Sequence, residues 1–297
     1  MIDTLVLASN NRGKLAELQV LFLPLGVRLV SQADLGIGEA EEPHCTFVEN
    51  ALAKARHAAR ASGLPALADD AGLCVDAFGG LPGVDTAHYA VQFGLPKGDD
   101  SNVQALLEQM RDVSNRRAAL VSTLVALRTA DDPQPLIAVG RAVGEITREP
   151  VGESGFGFDP VMFLPAFGKT FAQLSPEVKN ANSHRGLAAR EMLRMMLELA
   201  GHEVYDAPDG ARGLELLAVA RPDVGIIDIG LPRMDGYQVA RRIRQDPHGR
   251  GMLLLALTGY SSSGDIRRSS EHGFDHHLIK PVDPERLARF LEGAGST

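Results

Sequence analysis

The sequence has no tryptophan, two cysteines and only 5% aromatic residues. Two cysteines are too few for a disulfide framework, and Cys45 and Cys74 do not have the spacing of a zinc site, which favours a reducing, cytoplasmic compartment. Long apolar runs are also absent: residues 252–257 form a run of only six. No segment is therefore expected to span a membrane, and the acidic start of the chain does not resemble a signal peptide.

Positive charge is in deficit, with 30 Lys and Arg against 38 Asp and Glu and a net charge of -8. This balance argues against broad nucleic-acid binding, which depends on neutralising many phosphates. It does not exclude a single nucleotide, for which a local basic cluster suffices. The length of 297 residues, 44% hydrophobic and 23% charged, is typical of a globular protein with about two domains.

Two regions of the chain differ in pattern. Residues 1–190 combine long helices, long loops and strands of mixed length. Residues 190–297 alternate short strands and helices, which is typical of a parallel sheet. No linker separates the regions, so one helix, at about 187–200, is predicted to belong to both. In the second region we predict strands at 202–206, 224–229, 252–257 and 276–279, and helices at 208–220, 236–245, 264–272 and 283–292.

A polar turn follows the first predicted strand, at 4–8, and begins a helix. Free N–H groups at a helix start attract anions, Gly13 lets a phosphate approach, and Lys14 adds positive charge. An ordinary capped turn would use the same residue types, and the second half of a Walker motif is absent. Both interpretations stay open for this segment, which consists of Ser9, Asn10, Asn11, Arg12, Gly13 and Lys14.

Two carboxylates, Asp69 and Asp70, directly follow the apolar stretch 65–68. We interpret this as a strand that ends in two acids, a natural Mg²⁺ site because this ion prefers carboxylate and phosphate oxygens. Apolar neighbours surround Asp70, which favours the metal role there. For three other acids we favour solvated surface positions: Glu42, Glu49 and Asp76.

A third segment places two rings beside a carboxylate, and a lysine, a histidine and an arginine follow it. A ring for stacking, an acid and a fixed guanidinium suit a nucleotide base, although each also fits a hydrophobic loop, a helix cap or a surface arginine. Together with the polar turn they point to a nucleotide. The residues are Phe156, Gly157, Phe158, Asp159, Lys179, His184 and Arg185.

Six motifs in this order resemble the Ham1-like family of non-standard purine nucleoside triphosphate pyrophosphatases, the inosine and xanthosine triphosphatases. The resemblance covers about residues 3–195. The motifs are 9–14 with Glu17, 46–51 with Lys54 and Ala55, 68–73, 80–84, 155–160 and 183–185.

The resemblance implies an α/β fold with a mixed, two-lobed sheet, a homodimer, and Mg²⁺-dependent hydrolysis at the α phosphorus. The products would be a nucleoside monophosphate and pyrophosphate, and the substrates deaminated purines such as dITP, ITP and XTP. It assigns Asp70 as general base and metal ligand and Glu41 as a second metal-binding acid. It assigns the phosphates to the turn 9–14 with Lys54 and Lys179, and the base to Phe156, Gly157, Phe158, Asp159, His184 and Arg185.

Four positions depart from the family pattern. Ala71 stands where serine is usual, and Phe158 stands where tyrosine is usual. Asp85 and His88 replace a large residue and an arginine, which predicts an altered grip on the substrate near this loop. We still expect activity, at most reduced.

In the second region Asp228, Thr258 and Lys280 each follow or end a predicted strand, and ligands of an open parallel sheet bind at such ends. Residues 193–294 resemble a response-regulator receiver domain, a flavodoxin-like doubly wound parallel sheet. The resemblance implies Asp228 as phosphoacceptor, Thr258 as switch hydroxyl, Lys280 as its cation partner and a histidine kinase as partner protein. The first strand and its Mg²⁺-binding acids are missing, so we predict weak or no phosphoryl transfer.

The sequence therefore predicts a pyrophosphatase domain at 1–192 and a truncated receiver-like domain at 193–297, which share the connecting helix. A gene fusion, natural or artificial, would explain this arrangement. The leading hypothesis is a nucleoside triphosphate pyrophosphatase with no nucleic-acid or membrane partner. Two alternatives stay open: a signalling protein whose first domain senses nucleotides without turnover, and a hydrolase of a related fold that acts on modified pyrimidine nucleotides.

Overall fold

The structure is a computed structural model that describes residues 4–22, 27–231, 234–258, 269–279 and 290. The chain divides into two compact units. The first comprises Thr4–Leu18 and Leu29–Met192, and the second contains the other described residues. Within these described ranges, no helix combines the length and the apolar character needed to cross a membrane.

The first unit is built on a mixed sheet, as the sequence predicted. Among the described residues the sheet has seven strands in the order β2-β1-β3-β4-β5-β6-β7. The strands are β1 (Thr4–Leu7), β2 (Arg28–Ser31), β3 (Ala66–Val75), β4 (Arg117–Leu127), β5 (Leu136–Ile146), β6 (Met162–Leu164) and β7 (Lys169–Thr170). The helices are α1 (Arg12–Phe22), α2 (Phe47–Ser62), α3 (Asp99–Gln109), α4 (Pro176–Asn182) and α5 (His184–Leu199).

Strand β3 does not end at its two acids, so that expectation was wrong. All ten of its residues pair with the antiparallel strand β4, including Asp69 with Leu124 and Asp70 with Thr123. This long ladder holds the acids inside the sheet despite their low strand propensity. Because consecutive side chains of a strand point to opposite faces, Asp69 and Asp70 are directed to different surroundings.

The parallel ladder between β1 and β3 is much shorter. It pairs Val6 with Ala66 and Leu7 with Leu67, and Ala8 N donates to Leu67 O at 2.8 Å. The acids of β3 lie just beyond this ladder, where the chain leaves β1 and turns into α1. The sheet thus brings the predicted phosphate turn to the acids.

Two helices pack closely on this sheet. Helix α2 is capped by Thr46, whose hydroxyl accepts from Glu49 N, and its alanines pack on β1, β3 and β4. Helix α5 follows Ser183, whose hydroxyl accepts from Gly186 N at 3.1 Å and so caps the helix. It lies so close to β5 that a methyl group on Gly140 would be 1.9 Å from the carbonyl oxygen of His184.

The second unit contains a parallel sheet, in agreement with the predicted fold class. In the described part its order is β10-β9-β8, and apolar residues of β8, β9 and α7 form its core. Its elements are α6 (Gly210–Ala220), β8 (Val224–Asp228), α7 (Gly236–Gln245), β9 (Leu253–Thr258) and β10 (His276–Ile279).

The predicted strand at 202–206 is not formed. Residues 202–207 have no regular secondary structure. In the order 2-1-3-4-5 this strand pairs only with the first strand, which the sequence lacks. Its backbone therefore has no ladder to join, and β8 lies at the edge of the described sheet. Of the predicted helix at 264–272, residues 269–271 are helical, and the helix at 283–292 lies almost wholly outside the described residues.

Candidate functional site

The polar turn before α1 is held in place by its own side chains. Asn11 Oδ1 accepts from Lys14 N at 3.0 Å and so caps the helix, and Ser9 Oγ accepts from Asn11 N at 3.2 Å. Asn10 Oδ1 accepts from Gln32 Nε2 at 3.1 Å. The N–H groups of the first helical turn have no partner within the helix, and such groups form a ready anion site.

Asp69 is buried at the centre of an ion-pair network. Its Oδ2 lies 3.1 Å from Lys14 Nζ and 2.9 Å from Arg185 Nε, and its Oδ1 accepts from Ser122 Oγ at 2.7 Å. Burial alone would raise the pKa of Asp69, but Lys14 and Arg185 outweigh it and hold this pKa well below its usual range. Both oxygens are thus in use, which argues against Asp69 as a metal ligand.

Asp70 has different partners on the other face of β3. Its Oδ1 accepts from Lys54 Nζ at 2.8 Å, and the same ammonium contacts Glu42 Oε2 at 2.9 Å. Its Oδ2 is buried, and no described group forms a hydrogen bond with it. Burial, together with the charge of Glu42, raises the pKa of Asp70 even though Lys54 opposes this. A buried carboxylate oxygen without a partner is costly, so this atom is a natural acceptor for a proton or a cation.

The acid beside Asp70 in this structure is Glu42, and its side chain is 48% exposed, in line with the surface position that we expected. Glu41, the acid implied by the resemblance, is exposed. In the described part of the chain, no group of three or more His, Cys, Asp or Glu side chains could hold a metal. Two carboxylates nevertheless suit Mg²⁺, which takes most of its other ligands from phosphates and water. The orphaned Asp70 oxygen and the neighbouring Glu42 therefore fit a substrate-bound divalent ion.

The two predicted rings have different environments. Phe156 is 37% exposed, with Lys179 Nζ 4.7 Å and Arg185 Cζ 5.4 Å from its ring centre. Phe158 is 3% exposed and packs in the hydrophobic core. Of the two, Phe156 therefore has the face on which a base could stack.

Asp159 and Gly157 fix the loop that carries Phe156. Asp159 Oδ2 accepts from Phe156 N at 2.9 Å and from Lys179 Nζ at 2.8 Å. Gly157 N donates to Asp99 Oδ2 at 2.7 Å, and its φ of 61° is in the left-handed region that favours glycine. Asp159 thus orients the ring and Lys179 together.

Glu17 belongs to this site, although we assigned it no role from the sequence. Its carboxylate lies 3.3 Å from Lys179 Nζ and 3.0 Å from Arg185 Nη1. Its position three residues after Lys14 in α1, on the same helix face, was the available signal. Through Glu17 and Asp69, one network of ion pairs joins α1, β3, α4 and α5.

His184 is buried beside Arg185 at the start of α5. Burial first, and then the charge of Arg185, lowers the pKa of His184 well below its ordinary value, so the ring is neutral at pH 7. Its Nδ1 is buried and finds no hydrogen-bond partner among the described residues. A neutral ring with a free nitrogen can donate or accept one hydrogen bond.

The cations of the site are already paired with carboxylates of the protein, and the carboxylates outnumber them by one. Four cations are paired with five carboxylates, so a triphosphate needs additional positive charge. This arrangement favours binding of the triphosphate together with a metal ion. The cations are Lys14, Lys54, Lys179 and Arg185, and the carboxylates are Glu17, Glu42, Asp69, Asp70 and Asp159.

In the second unit, Asp228 and Thr258 end the adjacent parallel strands β8 and β9 and lie at the same edge of the sheet. Asp228 pairs with Leu257 in the register, and its Oδ1 accepts from Gly230 N at 2.9 Å. Lys280, the third predicted residue, lies outside the described residues.

Two family profiles match the sequence. The profile of the Ham1 family matches residues 5–195, and that of the response regulator receiver domain matches residues 187–292. The two matches overlap at 187–195, inside α5.

Curated relatives match the first region over nearly their whole length. A dITP/XTP pyrophosphatase of Albidiferax ferrireducens is 75% identical over 194 residues, which are 65% of this chain and 98% of the relative. One from Paracidovorax citrulli is 74% identical with the same coverage. Among solved structures, a HAM1 protein from Coxiella burnetii is 43% identical with a TM-score of 0.62, covering 66% of this chain and 98% of its own.

Proposed function

The chain belongs to the Ham1 family, and we propose that it hydrolyses deaminated purine nucleoside triphosphates, namely dITP, ITP and XTP, to the monophosphate and pyrophosphate. Relatives at 70–75% identity carry the name dITP/XTP pyrophosphatase, and the chain is accordingly a nucleoside triphosphate pyrophosphatase. Such an enzyme removes deaminated purines from the nucleotide pool. The observation that carries the proposal is the buried Asp70 Oδ2, which has no hydrogen-bond partner in the described part of the chain and belongs to a carboxylate paired with Lys54.

The phosphates are proposed to bind between the turn 9–14 and the lysines. The first N–H groups of α1, with Lys14, Lys54 and Lys179, would hold the triphosphate and neutralise charge at the α phosphorus. Donors fixed in advance stabilise developing charge more than mobile ones do, because they need no reorganisation. The ion pairs that hold these lysines before the substrate binds support this role.

Asp70 is proposed as the general base, since its buried Oδ2 has no hydrogen-bond partner among the described residues and can accept a proton from water. Mg²⁺, once bound, would supply positive charge and lower the pKa of an attacking water. Asp70 with an acid of the pair Glu41 and Glu42 would hold it. The contact of Glu42 with Lys54 supports Glu42, and Glu41 is the assignment implied by the resemblance.

The base is proposed to stack on Phe156, with Arg185, His184 and Lys179 as donors around it. A 6-keto oxygen accepts hydrogen bonds from such donors. A 6-amino group would leave a buried donor unpaired, and mismatches of this kind reach factors of about 10⁴. The two cations that lie over the Phe156 ring, Lys179 and Arg185, support this selection against ATP.

The four departures from the family pattern do not remove any of these groups. Asp85 and His88 are exposed in the short helical segment Gly83–Phe93, and Phe158 lies in the core. We therefore expect activity with an altered grip on the substrate near this segment.

The proposal is tested by pyrophosphate release with Mg²⁺ from dITP, dATP, dUTP and a methylated pyrimidine nucleotide. Turnover of dITP that exceeds turnover of the other three is expected. Preference for a pyrimidine would favour the related-fold hydrolase, and no turnover at all would favour a nucleotide sensor. Removal of the metal with EDTA is expected to stop the reaction, and added Mg²⁺ to restore it.

A second candidate function concerns the second unit, where Asp228 and Thr258 lie at one sheet edge. This placement favours Asp228 as a phosphoacceptor for a histidine kinase. The Mg²⁺-binding acids of the first strand are missing, so we expect little or no acyl phosphate from acetyl phosphate with Mg²⁺. Stable phosphorylation of Asp228 by this donor, lost in Asp228→Asn, would instead establish the signalling function.

The family relationship also supports a homodimer as a proposal. Sedimentation equilibrium of the full chain tests it, with twice the chain mass expected. A single-chain mass would contradict it.

A further inference from the structure

Asp69 and Asp70 are neighbours in β3, yet they contact different sets of side chains. Asp70 contacts Lys54 of α2, whereas Asp69 contacts Lys14 of α1 and Arg185 of α5. The alternation of side chains along a strand separates the two carboxylates in this way. The pair that we expected to act together on a metal therefore has two different tasks.

Both oxygens of Asp69 already have partners within the protein. Lys14 Nζ and Arg185 Nε lie 3.1 Å and 2.9 Å from Oδ2, Ser122 Oγ donates to Oδ1 at 2.7 Å, and the side chain has no solvent exposure. Hydrogen bonds to a charged acceptor are stronger than neutral ones, and they are stronger still away from water. Asp69 therefore fixes the groups that it binds.

The two cations that Asp69 holds are proposed to bind different parts of the substrate. Lys14 follows the phosphate turn, whereas Arg185 contacts Glu17 and lies over the Phe156 ring. Like charges so close together repel each other unless an anion lies between them. One carboxylate oxygen thus links a group proposed to bind phosphate to a group proposed to bind the base.

We propose that Asp69 is a positioning residue for the pyrophosphatase reaction: by holding Lys14 and Arg185 on one oxygen, it sets the spacing between the phosphate-binding and base-binding groups, and it binds no metal. This inference rests on the proposed function.

The substitution Asp69→Asn distinguishes a role of Asp69 in aligning Lys14 and Arg185 from an effect on the attraction between the site and a phosphate anion. The amide has the same shape and still accepts from Ser122, but Lys14 and Arg185 lose their shared counterion. Arg185 keeps Glu17 as an ion-pair partner, whereas Lys14 loses its ion pair with Asp69. With one negative charge fewer, the site will attract a phosphate anion at least as strongly as before, but the alignment of the two cations is lost. A misplacement of about 1 Å can cost about 100-fold in rate, so kcat is expected to fall by about this factor.

The experiment uses the full chain as wild type, Asp69→Asn, Asp69→Glu and Ser122→Ala. Turnover of dITP is measured with Mg²⁺, and binding of inorganic pyrophosphate with Mg²⁺ is measured by calorimetry. For Asp69→Asn we expect one pyrophosphate per chain, an affinity no weaker than that of wild type, and the loss in kcat. Asp69→Glu restores the charge, and its kcat is expected to exceed that of Asp69→Asn by at least about tenfold. Ser122→Ala, which leaves both ion pairs, is expected to stay within about threefold of wild type.

Two results would overturn the assignment. One is an Asp69→Asn chain that keeps kcat within about threefold of wild type. The other is a binding stoichiometry that falls in proportion to kcat, since this indicates fewer folded sites rather than misaligned ones. A wild-type chain that does not turn over dITP would refute the proposed function, and the role of Asp69 with it. That outcome is distinct, because in the first two cases wild type is active.

Discussion

At the residue scale, burial gives chemically similar side chains different properties. Asp70 is a buried acid with one oxygen unpartnered, whereas Asp76, six positions along the chain, is exposed and lies 3.6 Å from the exposed Arg117. A surface pair of this kind contributes at most about 1 kcal/mol. Replacing either aspartate by asparagine removes one negative charge, but only the change at Asp70 also alters the proposed site. Asp76 is therefore a suitable control position for Asp70.

Asp70→Asn is expected to lower kcat for dITP by about 10²–10⁴-fold, because the amide cannot accept the proton of water. Lys54 keeps Glu42 as a partner, so the chain is expected to fold. Initial rates of pyrophosphate release measure the effect, and Asp76→Asn, which keeps wild-type rates, is the control. An Asp70→Asn chain with more than about a tenth of wild-type activity would refute the role of Asp70 as base.

Phe156→Ala is expected to raise KM for dITP by about tenfold, since stacking of a base on an aromatic ring contributes about 1–3 kcal/mol. The matched control is Phe167→Ala, because Phe167 is 40% exposed and Phe156 is 37% exposed. Steady-state kinetics of both variants provide the measurement. Equal KM values for the two variants would exclude stacking on Phe156.

His184 predicts a pH dependence of stability. Its pKa in the folded chain is lowered by burial, so above about pH 6.5 the ring is neutral whether or not the chain is folded. Below about pH 6.5 the His184 ring is protonated in the unfolded chain but stays neutral in the folded chain, because burial lowers its pKa there. Stability is then lost as the pH falls, by up to about 1.4 kcal/mol per pH unit.

His184→Gln removes this proton uptake. Urea unfolding at about pH 7.5, 6.5 and 5.5 is expected to show a smaller loss of stability for the variant than for wild type. Identical slopes in the two chains would show that His184 does not titrate as its burial requires.

At the scale of elements, the contact between β5 and α5 sets where the base-binding residues lie. A methyl group on Gly140 would lie 1.9 Å from His184 O and 2.4 Å from Ala188 N, both backbone atoms that cannot move by side-chain rotation. The start of α5, with His184 and Arg185, thus depends on the absence of a side chain at Gly140.

Gly140→Ala is expected to destabilise the chain by about 1–3 kcal/mol through overpacking and to raise KM by displacing Arg185. The control is Gly38→Ala, because no atom lies within 4 Å of a methyl group there. Thermal unfolding and dITP kinetics measure both effects. Wild-type values for Gly140→Ala would show that α5 can shift without cost.

The sequence predicted the first strand, the turn after it and most described elements of the second region, because their signals are local. The Thr46 cap, the alanine face of α2 and the polar turn before α1 depend on residues close together in the chain. The course of β3 through its two acids could not be predicted, since it depends on Lys14 and Arg185, which are distant in sequence. Whether Glu41 or Glu42 contacts Lys54 likewise depends on the conformation of a loop, and in the structure the contact is made by Glu42.

In the second unit, a local sequence pattern predicted a strand that is not formed. The pattern at 202–206 is typical of a strand, but the only neighbour available to this strand is absent from the sequence. Because a strand needs a partner for its backbone groups, the local signal was overridden by topology. The sequence predicts that the first strand is missing, and the irregular conformation of residues 202–207 is consistent with that prediction.

At the scale of the whole molecule, all the candidate residues of the nucleotide site belong to the unit Thr4–Leu18 and Leu29–Met192. The curated relatives are covered to 98% by the 194 residues they share with this chain. The remaining region, matched by the receiver profile, therefore has no counterpart in these relatives. Helix α5 connects the two, with His184 and Arg185 at its start and the overlap of both profiles further along.

The most direct test of the account is pyrophosphate release from dITP by the full wild-type chain with Mg²⁺, compared with dATP under the same conditions. We predict turnover of dITP with a kcat/KM that exceeds that of dATP by a factor of up to about 10⁴. Equal rates for the two nucleotides would contradict the proposed base selection. No pyrophosphate from either would contradict the catalytic role of the site.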